Sequence, residues 1–223
     1  MDNESLIQKN IDFIVRQNIF EHEEYQSKKI VDKEIIALSS SQEIVRLFSS
    51  KLLFIADEVV HLFLAINEVQ EKHGNKLMTM PGSSFFSLFP FCLIHPAEVY
   101  DIIDNYENDH EDYQHGIPII HGDDRILFFT PILTEKAAQA PIYYKWGIDD
   151  PAELTLCYSS LTNLLLMVAE GYETGAYYFH KSGTYGSWQE NFTKSEPIFH
   201  KYHPGLPFRS PHELSHFLDD YQT

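Results

Sequence analysis

The sequence predicts an α+β chain, and three observations predict it. Residues 56–73 and 159–171 carry apolar side chains at helical spacing. Between them, from Gly116 onward, short apolar runs are separated by Gly- and Asp-containing turns, the pattern of paired strands. With 43% hydrophobic and 14% aromatic residues in 223, the chain can bury a core of the size one domain needs.

Taken in order, Leu6, Ile7, Ile11, Ile14 and Ile19 give the opening stretch a near-helical period. Residues 21–34 are charged and read as solvated or looped. Ser39, Ser40 and Ser41, with Glu43 close behind, offer an N-cap for a short helix through Ile44, Val45, Leu47 and Phe48. The strongest helix of the first half follows. Val59, Leu62, Phe63, Ile66 and Val69 form its stripe, and Gly74 is placed to end it. His61 abuts that stripe, as a helix-surface or core-rim residue. Phe85 to Ile94 is aromatic and apolar with Pro90 inside it, which predicts an edge or bulged strand or an irregular buried segment. Pro96 to Tyr100 resembles the start of a short helix with proline in its first turn.

Two apolar runs around His121-Gly122-Asp123-Asp124 predict a hairpin, and Ile142–Trp146 and Leu154–Tyr158 predict two more strands. Ser159 and Ser160 cap a helix with Leu161, Leu164, Leu165 and Val168 on one face, with Gly171 as its expected end. Tyr172 to His180 is strand-like. HKSGTYGSWQEN then reads as a turn-rich loop, and its glycines do not follow a phosphate-loop order.

The chain closes on SPHELSHFLDD, which contains H-E-x-x-H. In zinc peptidases that pattern sets two histidines and a general-base glutamate on one helix face. Helix mechanics account for most of it here. Ser210 is an N-cap, Pro211 the favoured first helical residue, and Glu213 completes a capping box. Leu214, Phe217, Leu218 and Tyr221 form an apolar stripe at i, i+3, i+4 and i+7. No histidine follows His216 to serve as third ligand; His180, His200 and His203 lie upstream. The expectation is therefore no metal, no cofactor and no catalytic residue. A zinc-dependent hydrolase built on His212, Glu213 and His216 is the alternative.

Charge narrows the function class. Asp and Glu number 33 against 16 Lys and Arg, a formal charge of −17. That argues against nucleic acid and anionic membranes as partners, because both are held by Lys and Arg. It favours a basic protein partner. Residues 101–112 are the most acidic segment and lack the order of a calcium loop. Asp104, Glu107, Asp109, Glu111 and Asp112 are the candidate partner-binding residues, with Asp123 and Asp124 at the hairpin tip as secondary candidates. Cys92 and Cys157 sit in apolar stretches and read as buried thiols. The opening MDNESLIQKN lacks the basic-then-apolar order of a signal peptide, so a cytoplasmic protein is expected.

The middle of the chain resembles the SUKH superfamily, the Smi/Knr-like domains that act as cell-wall synthesis regulators in fungi and as toxin-immunity proteins in bacteria. FFSLFPFCLIHPAEVYDI is similar to the family's aromatic strand and the segment leading away from it. GIPIIHGDDRILFF resembles its isoleucine-proline-isoleucine and glycine-aspartate hairpin. LCYSSLTNLLLMVAEGYETGAYY resembles its late helix, preceded by a strand and a Ser-rich cap. The family's Pro-rich start and Asn-Gly pair after the first helix are not matched, HGNK at 73–76 being the nearest counterpart. The resemblance divides a single domain, residues 1–223, into a helical N-terminal extension (1–35), a SUKH-like core (40–180) and a loop-rich tail ending in a helix (181–223). It implies a mixed or mostly antiparallel central sheet flanked by helices. It also implies a binding role rather than catalysis, as an immunity or regulatory protein whose partner is a basic protein such as a nuclease toxin. A regulatory module binding a protein unrelated to toxins is a further alternative.

Overall fold

The computed structural model describes residues 5–13, 55–73, 85–88, 91–94, 116–121, 126–131, 133, 135–146, 155–182 and 185–208. Four helices and eight strands are found among them. Helix α1 covers residues 5–13, and α2 is Asp57–His73. Strands β1 (Phe85–Leu88), β2 (Phe91–Ile94), β3 (Gly116–His121), β4 (Ile126–Pro131), β5 (Ile142–Trp146) and β6 (Thr155–Tyr158) follow. Helix α3 is Leu161–Thr174, β7 and β8 are Tyr177–Ser182 and Tyr185–Glu190, and α4 is Phe192–Tyr202. The first six strands pair in sequence order, every neighbour antiparallel, and β7–β8 form a separate two-stranded sheet. The α+β class and the antiparallel pairing are thus as the sequence implies. None of the described helices is long and apolar enough to cross a membrane.

Pro118 lies inside β3, between β2 and β4, where a residue without an N–H breaks the ladder. The strand absorbs it with a register shift between Pro118 and Ile120. Ile117, Ile119 and Ile120 are all fully buried, so the bulge leaves β3 covered on both faces. Phe85–Ile94 differs from the expected single segment. It is two strands paired Phe85↔Ile94 through Leu88↔Phe91. Phe89 and Pro90 separate the strands, so the proline stands between them instead of within one.

One apolar cluster joins α1 (Ile7, Ile11), α2 (Val59, Leu62, Phe63, Ile66), β3, β5, β6, α3 and α4. The stripe of α2 is buried as its spacing predicts, up to Ile66. Helix α3 starts where expected: the Ser160 hydroxyl accepts the Asn163 N–H at 3.1 Å. It ends one turn later than expected. Gly175, at φ 67°, is the terminating residue, and Ala176 N–H returns to the Gly171 carbonyl at 2.8 Å. Lys194 Nζ donates to the Thr174 carbonyl at 3.0 Å, closing the same end.

Gly171 has a different role. The Tyr177 ring lies against it so closely that a Cβ there would sit 2.3 Å from Tyr177 Cε2. This contact joins α3 to β7. The stretch expected to be a loop after His180 instead forms β8 and then α4, whose Pro197 forgoes one helical hydrogen bond.

Gly171→Ala should lower the urea midpoint. The methyl group overpacks a buried ring, at a cost of about 1–3 kcal/mol, which exceeds the gain in helix propensity of about 1 kcal/mol at most. An unchanged midpoint would show that the ring has room to move.

Candidate functional site

Four buried polar residues, Glu58, Ser160, Thr162 and His203, meet around the first turn of α3. A helix start leaves its leading N–H groups without intrahelical acceptors. Here Glu58 serves those of Leu161 and Thr162, and the Ser160 cap serves that of Asn163. Glu58, in the first turn of α2, is fully buried. Its Oε1 accepts the Leu161 N–H at 3.1 Å and the Ala140 N–H at 2.9 Å. Its Oε2 accepts the Thr162 N–H at 2.9 Å and the Thr162 hydroxyl at 2.8 Å. The carboxylate therefore ties α2 and the segment before β5 to the N-terminal dipole of α3, where negative charge is favoured. The same segment caps α2 in return. Asp57 and Glu58 donate their N–H groups to the Ala137 and Ala138 carbonyls at 3.0 and 3.2 Å.

On the outer side of that turn sits exposed Ser159, facing fully buried His203 from the end of α4. The Ser159 N–H donates to His203 Nδ1 at 3.1 Å, and the Ser159 hydroxyl lies 2.9 Å from the same nitrogen. Asn163 Nδ2 donates to the hydroxyl at 3.0 Å. Because Nδ1 accepts the amide, the hydrogen-bond network assigns the ring proton to Nε2. Nε2 is buried with no hydrogen-bond partner among the described residues. It lies among the rings of Tyr158 and Phe199, whose centroids are 5.2 and 5.0 Å from that of His203. Burial pushes the imidazole pKa down from 6.5 to about 4.

A serine against a histidine raises the question of nucleophilic catalysis, and the described surroundings do not favour it. The α3 amides that would stabilise an oxyanion are already committed, to Glu58 at Leu161 and Thr162 and to Ser160 at Asn163. The histidine is a weak base, and no described carboxylate reaches Nε2 to support an imidazolium. The pair is built to tie α4 to α3. A second tie lies farther along. Glu170 of α3 accepts from Lys201 and, at 2.6 Å, from the Tyr202 hydroxyl. The Lys201 bond, then that of Tyr202, holds the Glu170 carboxyl below its ordinary value.

The acidic candidates Asp104, Glu107, Asp109, Glu111, Asp112, Asp123 and Asp124 lie outside the described residues. So do His212, Glu213 and His216. Of the upstream histidines, His180 and His200 are exposed on β7 and α4, and His203 is buried. Among the described residues no three His, Cys, Asp or Glu are grouped to hold a metal. Cys157 is a buried thiol donating to the Thr155 carbonyl at 3.6 Å, as expected; the Cys92 side chain is outside the described set. Glu58 was not singled out by sequence, and His203 was named there only as one of the upstream histidines. Glu58 had one signal: it stands four residues before Leu62, at the edge of the α2 stripe, where a carboxylate is out of place.

The chain matches no protein-family model and no curated protein.

Glu58→Gln puts an NH₂ group where either two amides or an amide and a hydroxyl now donate. Urea unfolding should show a loss of about 2 kcal/mol, and Glu58→Ala a loss of about 3–5 kcal/mol. A loss below about 0.5 kcal/mol for Glu58→Ala would mean that water serves these donors equally well.

Proposed function

We propose that this chain is a non-catalytic, acidic binding protein of the SUKH type, an immunity or regulatory protein of the cytoplasm that takes a basic protein partner such as a nuclease toxin. The observation that carries this reading is the distribution of charge. Residues 101–124 hold eight Asp and Glu and no Lys or Arg, within a chain of net charge −17. A nuclease presents positive charge to its substrate, so an acidic surface competes for it and speeds encounter. The α+β architecture with its antiparallel sheet agrees with what the resemblance implies. The engaged amides around Ser159 add support on the non-catalytic side.

Capture with the tagged chain from its native host tests the reading. The expected result is a basic protein retained in near-equal amount at low salt and released at high salt. Reversing Asp109, Glu111 and Asp112 to Lys should then slow association about tenfold or more and flatten its salt dependence. Unchanged kinetics would remove these residues from the interface. Stoichiometric zinc in the same eluate, with an activity lost in Glu213→Gln, would support the hydrolase alternative.

A further inference from the structure

We propose that α4 and the turn after it form an acid-released clasp on the first turn of α3, held shut by neutral His203 and opened when its ring takes a proton. Geometry carries this. The closed clasp needs an unprotonated Nδ1, because that nitrogen accepts the Ser159 N–H at 3.1 Å. A proton on Nδ1 sets a donor against the Ser159 N–H and breaks that bond, leaving the oxygen of the Ser159 hydroxyl, which itself donates to the Tyr202 carbonyl at 3.3 Å, as the acceptor on that side. The charge the proton brings is fully buried, and the other ring nitrogen has no hydrogen-bond partner among the described residues.

Among the described residues the neighbours of the His203 ring supply no counter-charge. From β6 comes the Tyr158 ring, and from α3 the neutral Asn163, through Ser159. From α4 itself come the Phe199 ring and, beyond it, His200, whose ring meets the Phe199 edge at 5.5 Å. Lys201 and Tyr202 are committed to Glu170, and Phe208 packs on Phe199. Lys201 opposes a further positive charge. The Glu170 carboxylate at this junction is already engaged, its Oε2 accepting from Lys201 and Tyr202.

Opening exposes an aromatic surface of Tyr158, Phe199 and Phe208, while the Glu58 clasp on the opposite side of the α3 start stays closed. The sign follows from linkage. The closed ring titrates at about 4 and a solvated ring at 6.5, so the open form binds the proton first as pH falls. The stability of the closed form is complete above 6.5 and is lost on the way down to about 4. Glu170, held below its ordinary value of 4.5, stays ionised across the upper part of this window and adds no slope there.

The test is hydrogen exchange of the full chain from pH 7 to pH 5, with peptides resolved by mass spectrometry and rates corrected for intrinsic exchange. Below pH 6.5 the protection of residues 198–203 should fall about tenfold per pH unit, while that of 164–168 in α3 holds. His203→Asn keeps an acceptor near the Nδ1 position and cannot titrate, so its slope should vanish. Ser159→Ala provides a second variant, expected to lower α4 protection several-fold at pH 7 and leave the slope intact. Four results would overturn the proposal: α3 and α4 losing protection together, no pH dependence in α4, an undiminished slope in His203→Asn, or no change at pH 7 in Ser159→Ala.

Discussion

A carboxylate removed from water is the constraint on which the described core depends. An unpaired buried charge costs several kcal/mol, so Glu58 is compatible with folding only while all its donors are in place. Those donors come from Ala140, Leu161 and Thr162, that is, from the segment before β5 and from the start of α3. One side chain thereby fixes the relative placement of α2, the approach to β5 and α3. Apolar packing alone tolerates sliding between helices; four directional bonds to one carboxylate do not. The same arrangement satisfies the leading amides of α3, which lie too deep for water to serve.

With its start fixed, α3 becomes the element from which the C-terminal part is organised. Its far end is closed by Gly175 and by Lys194, and its middle receives the Tyr177 ring over Gly171. Helix α4 then lies along it, tied at Glu170 through Lys201 and Tyr202 and at Ser159 through His203. The two ties differ in kind. The Glu170 contact is partly solvated and charged, so it is worth little to stability. The His203 contact is buried and neutral, so it depends on the protonation of a single ring. The Ser159–His203 pair thus has the atoms of a catalytic dyad and the surroundings of a structural joint.

What the sequence made legible was what depends on period and on local turn chemistry. The α2 and α3 stripes, the Ser160 cap, the β3–β4 hairpin and strands β5 and β6 all follow from spacing and cap residues. The misreadings have local causes as well. Pro90 suggested one edge or bulged strand or an irregular segment, where β1 and β2 are two paired strands. Gly171 looked like a helix end because its packing partner, Tyr177, is a tertiary contact. Gly183, Gly186 and Pro197 obscured β8 and α4 in the same way. Glu58 and His203 were least legible, since each owes its position to partners that are distant in sequence, at separations of 82 to 104 residues for Glu58 and 44 for His203. The acidic segment is the converse case: it is plain in the composition and lies outside the described residues.

The central claim, that Glu58 organises the start of α3 through direct bonds, is tested most directly by a double-mutant cycle. Glu58→Gln, Thr162→Val and the pair are unfolded in urea, and the coupling is taken from the departure from additivity. The account requires a coupling of about 1 kcal/mol or more, because both variants act on one buried bond. Additivity within about 0.3–0.5 kcal/mol would contradict it, leaving Glu58 as a buried residue whose bonds to α3 contribute nothing specific.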